Sequence, residues 1–489
     1  MVGSPRLPPF TSSSEVTSTP TPTPDLSPLW SSVQRTHPWE PRPVEGTLPE
    51  GLRMTLVRTG PGLMERFGRR LAHSFEADGV MTGLRLSGDG QAHAAVRVVE
   101  SPGYRQEQAA GTPLFGSAAP WWRRFLNGLR MRGKETGNTS IMEWQGRTFA
   151  LMEGARPIEI DVSSLGTLAV ESFGGVLGPT FSAHPHRLPS AKTTFNFGVE
   201  YGRKPALSLY ALPDEGPARR LGRVPLPWNA MVHDFAITER AMVFVVCPLQ
   251  ISLGRALLAP RDMATLFRWV PEAGTLLLVV PLDDIEHPIR IPIDARFVFH
   301  LANAHHQADA LCIDMVQYPN ADVLTALSGT ESPRLDPSRL QRVVVDPATA
   351  TVREEQVLWA RACDFPVLPE DRVGQPYSTL WLFAGEEQGD ARGIARLDLE
   401  TGEADVWNPG PGYSPSEALF LPDPRATRPT QGWLLSLILD GWRRESFFGV
   451  FDAEHPSAGP LARIWMGQPL PATFHGSFVR SGTDPRAAS

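Results

Sequence analysis

The sequence has few cysteines, very few lysines and no long uninterrupted apolar run. Its 489 residues include 3 cysteines, which are far apart and form no CxxC motif, as expected in a reducing compartment. The only lysines are Lys134, Lys192 and Lys204, and the formal net charge is −7, so no basic tract favours a nucleic-acid partner. No segment approaches the roughly 20 apolar residues of a spanning helix. We therefore expect a cytoplasmic protein that neither binds nucleic acid nor spans a membrane.

The N-terminal segment also lacks an apolar pattern. Residues 1–45 contain ten prolines and fourteen serines or threonines, a composition that cannot bury enough surface to offset the entropy lost on ordering. We predict a disordered leader at 1–45, a single folded domain at 46–482 and a flexible tail at 483–489.

Glycine and proline are abundant beyond this leader. The chain has 43 glycines and 48 prolines, and short apolar segments repeatedly end in an aspartate or a glycine turn, for example at 158–161, 343–346 and 397–402. This pattern is typical of successive β-hairpins. Because the hairpins recur over about four hundred residues with no break in composition, they favour radial repetition of small sheets. We predict an all-β fold, a seven-bladed β-propeller.

Two basic amphipathic segments, 121–132 and 249–269, interrupt the hairpins and predict helical cap insertions over the top face. Such a helix can lie in a membrane interface, with its apolar face in the bilayer and its arginines near anionic lipid. Alternatively, its apolar face can pack on the propeller. The residues that would contact the membrane are Trp121, Trp122, Phe125, Leu253, Leu257 and Phe267.

Twelve histidines are scattered through the chain without an HExxH motif. Four of them, His184, His233, His300 and His475, lie at the edges of apolar segments, 49, 67 and 175 residues apart. In a propeller the innermost strands line the axis, so residues separated by whole blades can meet there. The spacing thus permits a metal site, although each histidine alone is more typical of a structural or surface position. The other eight are expected to be structural or exposed.

The surroundings of these histidines resemble the carotenoid cleavage oxygenase family. The resemblance runs from about residue 58 to residue 478, with the motifs in the same order. The matching segments are Arg58-Thr-Gly-Pro61, His73-Ser-Phe-Glu-Ala-Asp-Gly-Val-Met81, Ala183-His184-Pro185, Val232-His233-Asp234-Phe235, Phe299-His300-Leu-Ala-Asn303, Pro415-Ser416-Glu417 and Phe474-His475-Gly476.

This resemblance implies a seven-bladed propeller that holds Fe(II) on four histidines, here His184, His233, His300 and His475. Neutral imidazoles suit Fe(II), and four of them leave two octahedral positions open. The family has carboxylates behind the histidines, which accept the other imidazole N–H and orient the ring. The matching residues are Glu153, Asp364 and Glu417. The family often has Glu at the second position, so the shorter Asp364 is expected to shift its histidine or to need a bridging water.

The resemblance also implies the reaction, in which O2 cleaves a carbon–carbon double bond of an apolar polyene and gives two carbonyl products. Stilbene-cleaving relatives carry a lysine before the first carboxylate, where this chain has Met152. A carotenoid or apocarotenoid substrate is therefore preferred over a stilbene. The alternatives are a polyene isomerase or a stilbene-cleaving dioxygenase on the same iron site and, from another class, a non-catalytic propeller that binds a lipid or a protein. An apolar substrate also favours peripheral contact of the amphipathic segments with the inner face of the membrane.

Overall fold

The structure is a computed structural model that describes residues 23–130, 132–252, 254–255, 266–328, 336–385 and 391–479. Within these ranges, seven antiparallel sheets of four to six strands form the blades of a β-propeller. Two short hairpins supplement them. The predicted all-β, seven-bladed fold is confirmed.

The elements follow one another along the chain blade by blade. The N-terminal part contains β1 (His37–Pro41), β2 (Val44–Gly46), β3 (Arg53–Leu63), the hairpin β4 (Glu65–Arg66) and β5 (Arg69–Arg70), β6 (Asp78–Ser87), β7 (Ala92–Val98), and the helices α1 (Pro102–Ala110) and α2 (Trp121–Leu129). The second blade comprises β8 (Ser140–Trp144), β9 (Arg147–Leu151), β10 (Ile158–Asp161) and β11 (Gly166–Val170). The third comprises β12 (His186–Leu188), β13 (Thr193–Glu200), β14 (Ala206–Pro213) and β15 (Arg219–Pro225).

The remaining blades are built in the same way. The fourth contains β16 (Phe235–Ile237), β17 (Ala241–Val246), the inserted hairpin β18 (Leu249–Ile251) and β19 (Phe267–Trp269), then β20 (Thr275–Pro281) and β21 (Ile289–Ile293). The fifth contains β22 (Phe297–Gln307), β23 (Ala310–Tyr318), the short helix α3 (Val323–Ala326), β24 (Arg339–Asp346) and β25 (Thr351–Trp359). The sixth contains β26 (Cys363–Val367), β27 (Thr379–Gly385), β28 (Ala391–Asp398) and β29 (Ala404–Trp407). The seventh contains β30 (Tyr413–Pro415), β31 (Leu419–Pro422), β32 (Gly432–Asp440), β33 (Glu445–Asp452) and β34 (Ala462–Trp465), and β35 (Gly476–Phe478) follows it. Short 3-10 turns lie at Ser27–Trp30, Ser74–Glu76, Pro189–Ala191, Pro271–Ala273, Glu370–Arg372 and Pro456–Ala458.

Two sheets combine both ends of the described chain and so close the ring. In the first blade the strand order is β1-β7-β6-β3-β35, and Arg58 of β3 pairs with Gly476 of β35. In the seventh blade β2 pairs with β34. Apolar clusters fill the spaces between neighbouring blades. One such cluster joins the third and fourth blades through Phe197 and Phe235, whose ring centroids are 5.6 Å apart.

The prediction of a disordered leader at 1–45 is wrong for residues 23–45. β1 pairs with β7 and β2 pairs with β34, each at the outer edge of its sheet. Proline is tolerated on an edge strand, where its missing N–H faces away from the ladder. A proline-rich composition is therefore compatible with these two strands. Residues 1–22 and the predicted tail at 483–489 lie outside the described residues.

The two amphipathic segments have different structures. The first forms α2, whose apolar side chains are exposed, with Trp121 at 71% and Leu129 at 55%. Packing of this face on the propeller is therefore ruled out. The expected helix at 249–269 is wrong where the chain is described, because its two ends pair as β18 and β19. Leu253 and Leu257 lie outside the described residues, and Phe267 is half-buried in β19.

Arg58 lies fully buried at the point where the ring closes. Its guanidinium donates to Oγ1 of Thr473 at 3.0 Å and to the main-chain carbonyls of Glu417 and Phe474 at 3.1 and 2.9 Å. Nη1 also lies 3.5 Å from Oε2 of Glu417. One side chain thus links the first blade to the seventh blade and to the segment that follows it.

We predict that Arg58→Met lowers the free energy of unfolding by about 3–5 kcal/mol, because it leaves the buried Glu417 carboxylate without its cation. The matched control is Arg53→Met at the exposed end of the same strand, where a change within about 0.5 kcal/mol is expected. Chemical unfolding measures both. Equal effects of the two substitutions would contradict this account of the closure.

Candidate metal centre

The four predicted histidines converge on the propeller axis from four different blades. His184 and His233 lie just before the innermost strands β12 and β16, His300 lies within β22, and His475 directly precedes β35. All four side chains are buried, and one ring nitrogen from each lies within 4.8 Å of the others. The convergence expected from the spacing is therefore present.

The distances between the ring nitrogens fit a single metal ion. Nε2 of His184 lies 3.0 Å from Nε2 of His233, and Nε2 of His300 lies 3.3 Å from Nε2 of His475. A metal about 2.1 Å from each nitrogen requires adjacent ligands about 3 Å apart. Burial and the neighbouring imidazoles hold the pKa of His184 well below its usual range, which favours the neutral, metal-binding form.

Three carboxylates lie behind the histidines, at the positions named from the sequence. Oε1 of Glu153 contacts Nδ1 of His233. Oδ1 of Asp364 lies 2.6 Å from Nδ1 of His300, and Oε1 of Glu417 lies 2.9 Å from Nδ1 of His475. A carboxylate beside Nδ1 accepts a hydrogen bond from the Nδ1–H group, which leaves Nε2 unprotonated and free to bind a metal. The two closest nitrogen pairs are both Nε2 pairs, which is consistent with this tautomer.

The pKa shifts at these pairs follow from burial and charge. Burial alone disfavours ionised Asp364 and Glu417, but the partner imidazoles and the hydrogen bonds from them hold the pKa of both carboxyls below the usual range. Burial likewise disfavours an imidazolium at His300, yet the charge of Asp364 and the hydrogen bond to it raise the pKa of His300. The two carboxylates are therefore ionised, and each is suited to accept a hydrogen bond from an imidazole that binds a metal through Nε2.

The shorter Asp364 reaches its histidine without a bridging water, contrary to expectation. The strand that carries it, β26, has a register shift between Asp364 and Val367, and Phe365 has a φ of 49°. A bulge bends its strand and re-aims a side chain, which accounts for the direct contact of the shorter Asp364 with His300. The hydroxyl of Tyr318 donates to Oδ2 of Asp364 and fixes the carboxylate plane.

Asp234 is a residue of the site that the sequence reasoning missed. One carboxylate oxygen accepts from Nε2 of His186 at 2.8 Å and from the N–H of Phe235 at 2.7 Å, and the other accepts from the N–H of Leu301 at 2.8 Å. Oδ1 also lies 3.9 Å from Nδ1 of His184. Asp234 thus connects the third, fourth and fifth blades, and it lies behind His184. Its position directly after His233 is the feature of the sequence that could have identified it as part of the site.

A cavity of about 650 Å³ extends to Glu153, the carboxylate that contacts His233. Glu153 and Thr139 line it together with apolar and aromatic side chains. Its apolar lining comes from residues that include Leu71, Phe75, Phe115, Met152, Met231, Ile251, Leu266 and Phe267. Asn127 and Gly128 of α2 also border it, so the exposed helix lies next to the cavity. A mainly apolar pocket of this size suits an elongated apolar ligand.

Comparison with known proteins agrees with this geometry. The family model described as Retinal pigment epithelial membrane protein matches residues 30–480. This chain belongs to that family, the carotenoid cleavage oxygenases. The expectation from the motifs is confirmed.

Individual relatives match over nearly the whole chain. The apocarotenoid-15,15'-oxygenase of Synechocystis sp. is 33% identical over 459 residues, covering 90% of this chain and 92% of its own. The carotenoid 9,10(9',10')-cleavage dioxygenase of Crocus sativus is 27% identical, covering 91% and 87%. The crystal structure of the cobalt-substituted Synechocystis oxygenase aligns with a TM-score of 0.85 at 30% identity, covering 93% and 98%. The matches thus extend to both sequence and fold.

We predict that Asp364→Asn weakens metal binding about 10- to 100-fold, because an amide cannot hold the Nδ1 proton of His300 as a carboxylate does. Calorimetric titration with Fe(II) under anaerobic conditions measures the affinity. The control is Glu354→Gln on the exposed face of β25, which is expected to bind metal like the unchanged protein. Unaltered affinity in Asp364→Asn would show that this carboxylate does not support the site.

Proposed function

We propose that this protein is a non-haem Fe(II) dioxygenase that cleaves a carbon–carbon double bond of a carotenoid or apocarotenoid with O2 and gives two carbonyl products. The observation that carries the proposal is the cluster of four buried imidazoles, three of them paired with carboxylates, beside an apolar cavity. Four neutral nitrogen ligands suit Fe(II). The names of the Synechocystis and Crocus sativus relatives support the reaction and the substrate class.

Each part of the site has a role in this reaction. His184, His233, His300 and His475 would hold the iron, which when bound supplies the centre at which O2 reacts with the double bond. Asp364 and Glu417 orient their imidazoles by accepting a hydrogen bond from Nδ1, and Glu153 contacts Nδ1 of His233. The apolar walls of the cavity bind the polyene by excluding water, and this exclusion also protects reactive intermediates from side reactions.

Met152 favours a polyene over a stilbene. It lines the cavity next to Glu153, and its sulfur lies 3.3 Å from both N and Oγ1 of Thr136. A thioether can neither ionise nor donate a hydrogen bond, so it cannot orient a phenol. A resveratrol cleavage oxygenase of Aspergillus fumigatus is also among the relatives, at 24% identity, but Met152 supports the apolar substrate.

We also propose that α2 binds the membrane surface peripherally, on the cytoplasmic side. Trp121, Trp122, Phe125, Leu126 and Leu129 form an exposed apolar face on a helix that also carries arginines. Because α2 borders the cavity, a substrate dissolved in the bilayer would have a short path to the site. No helix in the described residues has the length and apolar character needed to cross a membrane, so a surface contact fits this helix.

We predict that the anaerobically Fe(II)-loaded protein converts an apocarotenal under labelled O2 into two carbonyl products, identified by mass, each carrying one labelled oxygen. His233→Ala and His475→Ala should lose bound iron and activity, because each removes a ligand. His455→Ala, on an exposed loop, is the control and should retain both. An isomerised but uncleaved polyene would favour an isomerase, and absence of bound iron would refute the enzyme proposal.

The membrane contact predicts a separate outcome. The double variant Trp121→Ser, Phe125→Ser should bind vesicles of mixed neutral and anionic lipid at least tenfold more weakly, since each aromatic ring transferred to the bilayer contributes roughly 1.5–3 kcal/mol. Leu168→Ser removes a comparably exposed apolar side chain from β11 and should bind normally. Cosedimentation measures both, and equal binding by the two variants would argue against α2 as the contact.

A further inference from the structure

Four charged side chains form a buried network in the wall of the cavity. Nζ of Lys134 lies 2.7 Å from carboxylate oxygens of both Asp78 and Glu107. Arg66 faces the same two carboxylates, with Nη1 3.4 Å from Asp78 and Nη2 3.7 Å from Glu107. None of the four side chains is more than 8% exposed. Arg66, Glu107 and Lys134 all line the cavity.

Arg66 has hydrogen-bond donors without an acceptor in the described part of the chain. Its Nε and Nη2 are buried and have no hydrogen-bond partner among the described residues. The guanidinium plane is held by the ring of Tyr104, whose centroid lies 4.6 Å from Cζ, and by that of Phe67 at 4.9 Å. A buried donor without an acceptor carries an uncompensated desolvation cost. A ligand oxygen beside Arg66 would remove this cost.

The network and Glu153, which contacts His233, line the same cavity. Lys134 is two residues from Thr136, whose Oγ1 lies 3.3 Å from the sulfur of Met152. Met152 directly precedes Glu153, which contacts His233. Consecutive residues advance at most about 3.6 Å each, so the network is close enough for one elongated ligand to reach both Arg66 and the histidines.

The charge of the network indicates the kind of oxygen that it would accept. Lys134 and Arg66 are balanced by Asp78 and Glu107, and Glu107 also accepts from the N–H groups of Leu114 and Phe115 at 2.8 and 3.1 Å. The network is therefore formally neutral. A carboxylate placed here would be a buried charge without a counter-ion, whereas a hydroxyl or carbonyl oxygen would accept a hydrogen bond without adding charge.

We propose that Arg66 is a specificity-determining residue that binds a neutral oxygen-bearing end group, a hydroxyl or an aldehyde, of the polyene. This inference rests on the proposed function for the class of substrate. It adds the requirement that the end of the polyene which does not react should carry oxygen.

The test compares three polyenes of equal length that end in a hydroxylated ring, an unsubstituted ring or a carboxylate. Dissociation constants are measured anaerobically from the change in polyene absorbance, and kcat/KM is measured separately under O2. The protein should bind the hydroxylated polyene about tenfold more tightly than the other two, the ratio for one hydrogen bond of about 1.4 kcal/mol. Arg66→Met should reduce this ratio to about one without preventing binding of the unsubstituted polyene.

Two further variants keep the test decisive. Arg66→Lys retains the positive charge beside Asp78 and Glu107 but lacks the guanidinium donors, so it should fold and still lose most of the preference. Arg105→Met on α1, an exposed arginine paired with Glu100, is the control and should keep it. A ratio near one in the unchanged protein, or an unchanged ratio in Arg66→Lys, would overturn the inference. If the ratio is retained but no product forms, the proposed reaction fails while the end-group site stands.

Discussion

The pairing of β35 with β3 is the interaction on which both the ring and the metal centre depend. A Cβ on Gly476 would lie 2.7 Å from Cγ of Arg58 and 2.9 Å from the carbonyl oxygen of Val57. Only glycine allows this approach of the last strand to the first blade. His475 is the preceding residue, and its main-chain N–H donates to Thr139 at 3.1 Å. The contact that closes the propeller therefore also brings His475 to the axis.

Burial of so many polar groups at the axis is tolerable because each one compensates another. A buried carboxylate or imidazole on its own is costly, but Asp364 pairs with His300 and Glu417 with both His475 and Arg58. Asp234 is not paired with a ligand in this way. It accepts hydrogen bonds from three successive blades, and so holds the backbone that carries the ligands. A network of this kind favours a single arrangement of the blades.

The sequence predicted the site better than it predicted the periphery. His184, His233, His300 and His475 and their carboxylates are set in short motifs whose spacing can be recognised locally. The pairing of β1 with β7 and of β2 with β34 could not be recognised, because β1 contains two prolines and β2 has only three residues, so neither carries an apolar alternation. The prediction at the hairpin of β18 and β19 was wrong for a related reason. Its two strands lie on either side of a segment whose apolar residues have helical spacing. The role of Asp234 depends on contacts between blades, which no local pattern reports.

An apolar cavity alone does not determine which double bond of a conjugated polyene lies beside the histidines. The double bonds of such a polyene resemble one another chemically, and hydrophobic burial is non-directional, so a smooth apolar tunnel would allow the chain to slide past the iron. A fixed polar contact removes this freedom. If an end group binds at Arg66 as proposed, the distance from that residue to the four histidines would determine which double bond lies at a bound metal. The buried charges in the wall would then decide where the chain is cut, although they take no part in cutting it.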